Sequence, residues 1–174
     1  SQAGNYGDMI CSDDLYALFE ATDARRSLYA TGSRGGLPSV FVNKYSVFTG
    51  DPTDTKVLRL SEMYLIAAEA SLPADETSAR TYLNAITAQR GATAITSTGT
   101  TLFNDLMNER RKELAFEGER YMDMQRLKLD IDRGTNYPAA ARSIPYSNFR
   151  RVFPIPQTEI DVNSAIKAQQ NTGW

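Results

Sequence analysis

Residues 108–126 read NERRKELAFEGERYMDMQR, a stretch that alternates acidic and basic residues at helical spacing around a few large apolar ones. Between Glu109 and Arg133 there are seven acids and seven bases, and five of the bases are arginines. Charges this dense and balanced are typical of paired residues on helix faces, not of a charged tail or a polyanion-binding patch. The stretch therefore predicts helix, with Gly118 marking a kink or the junction of two helices.

Acid–base pairs three residues apart can form along this stretch. They are Glu109 with Lys112, Arg110 with Glu113, Glu117 with Arg120, and Asp123 with Arg126. Arginine makes planar two-point contacts with carboxylates and tolerates partial burial better than lysine. We therefore predict a structural ion-pair network that comprises Glu109, Arg110, Arg111, Glu113, Glu117, Arg120, Asp123 and Arg126.

The same acids have an alternative, catalytic interpretation. Glu113, Glu117, Glu119 or Asp123 could act as the acid and base carboxylates of a glycoside hydrolase. We favour the structural interpretation because acids at ion-pair spacing on a charged helix are more often scaffold than catalyst.

Composition restricts the function further. The chain has 174 residues, 41% of them apolar, and a formal charge of −2, which predicts a globular chain with one core and argues against nucleic acid or an anionic membrane as partner. It contains no histidine, which removes the commonest general base and most zinc sites, and we predict no metal and no cofactor. Cys11 is the single cysteine and is expected to be a free, half-buried thiol.

The periodicity predicts a mainly α-helical fold with long irregular loops and little or no β-structure. Helices 56–71 and from 75 or 77 to 90 are expected to form a tetratricopeptide-like hairpin, the first buried on both sides and the second ended by Gly91. A weak alternation leaves a short strand at 40–47 possible within an irregular region over 23–54. Further helices are expected over 13–22, after a cap at Thr100 or Thr101, over 119–129, and as one turn over 157–163.

Three motifs in order resemble the SusD/RagB family. The first is E-R-R-x-E-L-x-x-E-G-x-R-x-x-D-x-x-R over residues 109–126. Upstream, residues 58–70 read LRLSEMYLIAAEA, and downstream FPIPQTEIDVN (153–163) is followed by QNTGW (170–174). Three ordered motifs over about two-thirds of the chain are far more specific than any single pattern.

The resemblance implies a function. SusD-like proteins are non-catalytic lipoproteins on the outer-membrane surface of Bacteroidetes cells; they capture oligosaccharide or polysaccharide, or peptide in some members, and cap a SusC-like TonB-dependent transporter. They are several hundred residues long and open with a lipidated cysteine, so this chain is expected to be one domain, residues 1–174, forming the C-terminal portion of a longer protein. The alternatives are the carboxylate-based hydrolase and a helical docking module for the transporter without its own ligand site.

Loop aromatics are the candidate ligand contacts, because a flat aromatic face suits the C–H side of a pyranose and loops carry binding residues on a helical scaffold. Neighbouring amides would hydrogen-bond sugar hydroxyls. The candidates are Tyr45, Phe48, Asn136, Tyr137, Tyr146, Asn148 and Phe149, with Tyr29 as a further loop aromatic. Trp174, the last residue, is expected to seal the core.

Overall fold

A computed structural model describes residues 9–45, 57–134 and 139–174 of the chain. Contacts divide the chain into two compact units, Ser1–Arg120 and Tyr121–Trp174. Phe48, Asn136 and Tyr137 lie outside the described residues.

Three helices form the centre of the first unit. Helices α2 (Leu60–Ser71) and α3 (Glu76–Arg90) make the predicted hairpin, and α4 (Gly99–Glu113) packs against both. The first two are preceded in the chain by the short helix α1 (Asp13–Tyr16). The apolar stripes of α2, α3 and α4 meet in a core of Leu65, Ala68, Ala79, Leu83, Ile86, Leu102, Leu106 and Leu114.

Local chemistry sets the ends of the second hairpin helix. The Asp75 side chain accepts a hydrogen bond from the backbone N–H of Ser78 at 2.9 Å, which caps the start of α3. Gly91 ends the helix at a φ of +66°, and a Cβ at this position would lie 2.9 Å from the carbonyl oxygen of Thr22. The predicted hairpin and its C-terminal glycine stop are confirmed.

The prediction that the first hairpin helix is buried on both sides was wrong. In α2 the side chains of Leu60, Met63 and Ile66 are exposed, whereas Leu65 and Ala68 are fully buried. These exposed apolar residues make the sequence of α2 look apolar on most sides, although only one face of the helix is buried. Composition alone does not distinguish a helix buried on one side from a helix buried on both.

A small antiparallel sheet lies N-terminal to the hairpin. Strand β1 (Ile10–Cys11) pairs with β3 (Leu37–Val42), which pairs in turn with β2 (Tyr29–Arg34), from Tyr29 opposite Val42 to Arg34 opposite Leu37. Gly35 and Gly36, both at positive φ, form the two-residue turn. The irregular region predicted over 23–54 therefore contains a β-hairpin, and the predicted helix over 13–22 ends at Tyr16.

The second unit holds short elements. Helix α5 (Glu119–Arg126) follows Gly118, which has a φ of +93°, as the predicted junction requires. Strands β4 (Ile131–Asp132) and β5 (Ser143–Ile144) pair around α6 (Ala139–Arg142), and α7 (Gln157–Val162) follows a 3₁₀ turn at Phe149–Arg151. A last 3₁₀ segment covers Ser164–Gln169.

The fold class is mainly α, as predicted, with the two sheets as minor features. Within the described ranges, every helix is too short or too polar to cross a bilayer. Trp174 does not seal a core: it is 52% exposed, which corrects the prediction.

Candidate functional site: a buried ion-pair cluster and an exposed aromatic segment

Glu113, in the last turn of α4, is the centre of a buried ion-pair cluster. Its side chain is 1% exposed and accepts hydrogen bonds from three arginines that come from distant parts of the chain. Arg59 donates to Oε1 at 2.9 Å, Arg25 to Oε2 at 2.9 Å, and Arg90 to both oxygens, at 2.6 and 3.1 Å. Both carboxylate oxygens of Glu113 are thereby occupied.

Three further acids complete the cluster. One turn before Glu113, Glu109 lies 2.7 Å from Lys112 and 2.7 Å from Arg25. The carboxylate of Asp23 makes a two-point contact with Arg25, at 2.7 and 2.9 Å. Glu117 accepts from Lys44 at 2.5 Å and from Arg59 at 3.0 Å. We call these residues the ion-pair cluster: Asp23, Arg25, Lys44, Arg59, Arg90, Glu109, Lys112, Glu113 and Glu117.

The electrostatics of the cluster favour the ionised forms of Glu113 and Asp23. Burial on its own would raise the pKa of Glu113, but the hydrogen bonds from Arg90 and the charges of Arg90, Arg25 and Arg59 outweigh burial and lower the pKa from 4.5 to about 2. Burial would also raise the pKa of Asp23, but the hydrogen bonds and the charge of Arg25 outweigh burial and lower this pKa. For Lys44, burial dominates over the charge of Glu117 and lowers the pKa.

A cleft of about 300 Å³ opens beside the cluster, lined by Tyr29, Lys44, Arg59, Arg90 and Glu113 among others. The cations that line it are paired with carboxylates, and two of these carboxylates, Glu113 and Glu117, line the cleft as well. Among the described residues, no three acidic or cysteine side chains converge in a way that could hold a metal ion. The ion pairs of this region join three chain segments to the end of α4.

The acid–base pairs predicted three residues apart have two kinds of outcome in the structure. Glu109–Lys112 and Asp123–Arg126 are present, at 2.7 and 3.0 Å. Glu113 and Glu117 instead bind partners far away in sequence. Of the remaining members of the predicted network, Arg110 lies 3.7 Å from Glu62 and 3.5 Å from Glu119, Arg111 lies 2.6 Å from Asp14, and Arg120 is half-buried in α5.

Sequence reasoning missed five cluster members: Asp23, Arg25, Lys44, Arg59 and Arg90. Arg25 lies 88 residues from Glu113 and Arg90 lies 23 residues from it. No spacing rule covers such separations, so the sequence carries no signal that joins these residues to Glu113.

The second unit exposes aromatic side chains near its C-terminus. Phe149 and Trp174 meet edge to face, with ring centroids 5.4 Å apart and an interplanar angle of 79°. Tyr146 is 38%, Phe149 39% and Phe153 84% exposed. We call Tyr146, Phe149, Phe153 and Trp174 the aromatic segment.

Side-chain hydrogen bonds to the backbone hold the chain end beside residues 152–155. The amide of Gln170 donates to the Ile155 carbonyl at 3.1 Å and accepts from the Ile155 N–H at 2.8 Å. The Asn171 amide donates to the carbonyl of Phe153, and Trp174 Nε1–H donates to the carbonyl of Val152 at 2.9 Å. The residues of FPIP and QNTGW therefore meet through hydrogen bonds from side chains to the backbone, with Thr172 and Gly173 in a turn.

The two arginines of the 3₁₀ turn Phe149–Arg151 have opposite environments. Arg151 is buried, and its guanidinium donates to the Leu129 carbonyl at 2.7 Å and to Oε1 of Gln125 at 2.7 and 3.1 Å. Arg150 is exposed, and its guanidinium carbon lies 5.4 Å from the centroid of the Phe149 ring. Asn148 fixes the turn by accepting from the Arg150 N–H at 3.0 Å.

The other candidate ligand residues have different surroundings. Tyr45 belongs to the first unit and is half-buried, and its hydroxyl donates to the carbonyl of Phe116 at 3.0 Å. Tyr29 was expected in a loop but lies buried in β2, 5.0 Å from the Phe19 ring, which corrects that expectation. Of the candidates, Tyr146, Asn148 and Phe149 lie in one short stretch of the second unit.

Comparison with known proteins identifies the family. The sequence model of the SusD family matches residues 11–174. The chain belongs to the SusD family.

Solved structures of SusD-family and related proteins share the fold. A putative sugar binding protein from Bacteroides vulgatus is 30% identical with a TM-score of 0.81, covering 99% of this chain and 41% of that protein. A SusD superfamily protein from the same organism is 28% identical with a TM-score of 0.74, covering 89% and 36%. The surface glycan-binding protein A from Bacteroides uniformis, at 22% identity and a TM-score of 0.69 over 91% and 40%, is similar in fold. No curated protein matches the chain.

The chain spans about two fifths of the length of these SusD-family structures, 36 to 41%. Each of its three family motifs has a structural counterpart. Residues 109–126 supply acids of the ion-pair cluster, and residues 58–70 include most of α2. The two parts of the C-terminal motif are joined by side-chain hydrogen bonds in the second unit.

Proposed function

We propose that this chain is part of a non-catalytic carbohydrate-binding protein that captures oligosaccharide at the cell surface. Membership of the SusD family over residues 11–174 carries the proposal. The 30% identity to a protein described as sugar binding supports it. In this proposal the bound glycan is passed to a SusC-like TonB-dependent transporter in the outer membrane.

The aromatic segment supplies the chemistry that sugar capture needs. Aromatic rings pack against the C–H face of a pyranose, and adjacent amides bind its hydroxyls. Tyr146, Phe149 and Trp174 are each more than a third exposed, and Asn148 lies in the same stretch of chain. We propose this segment as a sugar contact, with Tyr45, Phe48, Asn136 and Tyr137 remaining candidates from the sequence.

The geometry of Glu113 argues against the hydrolase alternative. A general acid must be protonated near neutral pH and must reach the glycosidic oxygen. Glu113 is held ionised, with a pKa of about 2, and both of its oxygens accept hydrogen bonds from arginines. Both oxygens of Glu117 also accept hydrogen bonds, from Lys44 and from Arg59.

We further propose that the chain is the single-domain C-terminal portion of a longer SusD-family lipoprotein whose lipid anchor lies outside residues 1–174. The length of the solved relatives supports this proposal. The exposed apolar face of α2, with Leu60, Met63 and Ile66, also supports it, because such faces are usually covered in a complete protein. The intact mass of the protein recovered from its own cells tests it: a mass equal to that of this chain would contradict it.

Affinity electrophoresis in gels containing a panel of neutral and acidic polysaccharides tests the binding proposal. We expect at least one glycan to retard the chain, and Phe149→Ala to reduce that retardation. Leu37→Ala removes an exposed apolar side chain from the β-hairpin of the first unit and serves as the control. Retardation by no polysaccharide, together with tight co-purification with the transporter, would instead favour the docking-module alternative.

A further inference from the structure

Arg150 differs from the other arginines whose contacts the structure gives in the second unit. Its neighbour Arg151 is buried, and its guanidinium is used by Gln125 and Leu129. Arg126 contacts Asp123 at 3.0 Å. Arg150 is exposed, and within the part of the chain that the structure describes no carboxylate pairs with its guanidinium.

Contacts with Asn148 and Phe149 fix the position of Arg150. Its backbone N–H donates to Asn148, which holds the 3₁₀ turn, and its guanidinium lies over Phe149. Phe149 is held in turn by the edge-to-face contact with Trp174 and by Gly173, where a Cβ would lie 2.6 Å from the Phe149 ring. An arginine on an aromatic face keeps its in-plane N–H donors available for a second partner.

Two acids of the second unit are engaged in other contacts. Asp130 accepts the backbone N–H of Tyr146 at 2.7 Å, and Asp161 accepts from Gln157 at 2.7 Å. The chain as a whole carries a formal charge of −2, so it offers no general attraction to anions. Any preference for an anionic ligand would therefore come from a local contact.

We propose that the aromatic segment binds an acidic glycan, with the Arg150 guanidinium taking the carboxylate or sulfate of a sugar whose ring packs against the aromatic side chains. The inference rests on the proposed carbohydrate-binding function and specifies its substrate class. Guanidinium matches the two-oxygen geometry of a carboxylate or sulfate and binds it with two parallel hydrogen bonds. In a pyranose these groups lie just outside the ring, so one ligand reaches both the aromatic face and the arginine.

Two matched ligand pairs test the acidic group. Polygalacturonate is compared with its fully methyl-esterified form, which keeps the backbone and removes the charge. Dextran sulfate is compared with dextran, which separates sulfate from carboxylate recognition. One charge-assisted hydrogen-bonded contact changes affinity by about tenfold. We therefore expect at least one acidic polymer to bind the wild-type chain about tenfold more tightly than its neutral counterpart.

Three variants test the residue. Arg150→Ala is expected to remove the preference for the acidic polymer while leaving the far-UV circular dichroism spectrum unchanged, since the side chain is exposed. Arg150→Lys keeps the charge without the planar donor pair, so it is expected to keep only part of the preference. Lys167→Ala removes an exposed positive charge from the same unit and is expected to bind as the wild type does.

The outcomes separate this inference from the proposed function. Equal binding of charged and neutral partners in both pairs, or an unchanged preference in Arg150→Ala, overturns the acidic-glycan inference. Binding of neutral polysaccharides alone overturns it too but leaves the carbohydrate-binding function standing. Retardation by no polysaccharide of any kind overturns both. An equal loss in Lys167→Ala would show general charge attraction and also overturn the inference.

Discussion

The ion-pair cluster of the first unit and the aromatic segment of the second unit use arginine in opposite ways. In the cluster, Arg25, Arg59 and Arg90 meet carboxylates that are almost fully buried. In the aromatic segment, Arg151 meets an amide and a carbonyl, and Arg150 meets an aromatic ring. The ion-pair cluster thus uses its arginines to join chain segments through buried carboxylates, whereas the aromatic segment carries the exposed residues that we propose as a sugar contact.

Replacing Glu113, the central acid of the ion-pair cluster, is expected to have the largest effect on stability. Glu113→Gln keeps the shape of the side chain but leaves three arginines without their shared charge, and we expect the free energy of unfolding to fall by about 3–5 kcal/mol. Urea denaturation followed by circular dichroism measures it. Glu159→Gln, at an exposed acid in α7, is the control and is expected to change stability little.

The same variant also tests whether the cluster is a scaffold at all. A Glu113→Gln protein with wild-type stability that has lost a glycan-hydrolysing activity of the wild type would reverse the comparison and make Glu113 catalytic.

The pH dependence of stability sharpens the comparison. Because the folded-state pKa of Glu113 is lowered from 4.5 to about 2, its ionised form stabilises the fold fully above pH 4.5. That contribution, about 3 kcal/mol for this difference in pKa, is lost as the pH falls from about 4.5 to about 2. We expect the stability difference between wild type and Glu113→Gln to shrink over this range.

Urea denaturation of both proteins at several pH values between 6 and 2 measures this difference. A gap that stays constant across the range would mean that the charge of Glu113 contributes nothing to stability.

Local sequence rules predicted the helical hairpin but not the contacts that join it to the rest of its unit. The cap at Asp75, the stop at Gly91 and the inward Leu83 depend on residues within one or two turns, so spacing was enough. The convergence of Arg25, Arg59 and Arg90 on Glu113 depends on how the N-terminal segment and α2 pack against α4. Packing between distant segments leaves no periodic trace in a sequence.

The β-hairpin and Trp174 were mispredicted for different reasons. In β2 only Tyr29 is buried, so the strand lacks the alternation that would have marked it. Trp174 was assigned to the core from the general burial of tryptophan. Its Nε1–H instead reaches the Val152 carbonyl and its ring reaches Phe149, which satisfies the side chain while half of it stays in solvent. The candidate ligand contacts of Tyr146, Asn148 and Phe149 remain a prediction.

Within the second unit, the two neighbouring arginines offer a direct test. Arg151→Lys keeps the charge but cannot reach Gln125 with two nitrogens and the Leu129 carbonyl at once, so we expect stability to fall by about 2 kcal/mol. Arg150→Lys is the matched control and should leave stability within about 0.5 kcal/mol of the wild type. Fluorescence of Trp174, the only tryptophan, reports unfolding of this unit. Equal stability of the two variants would remove the distinction between a structural and a free arginine.

The smallest expected effect on stability concerns Gly173, which packs against Phe149 near the end of the chain. Gly173 has a φ of +96°, and a Cβ there would lie 2.6 Å from the Phe149 ring, so Gly173→Ala strains the backbone and pushes Phe149 away from Trp174. We expect a loss of about 1 kcal/mol together with a red-shifted Trp174 emission and stronger acrylamide quenching. Gly36→Ala, at a φ of +81° with no atom within 4 Å of the added Cβ, introduces similar strain in the β-hairpin turn. It should leave the Trp174 emission unchanged. If Gly173→Ala also left that emission and its quenching unchanged, the close fit of Gly173 against Phe149 would not be what positions Trp174. The hydrogen bond to Val152 would then have to hold the indole alone.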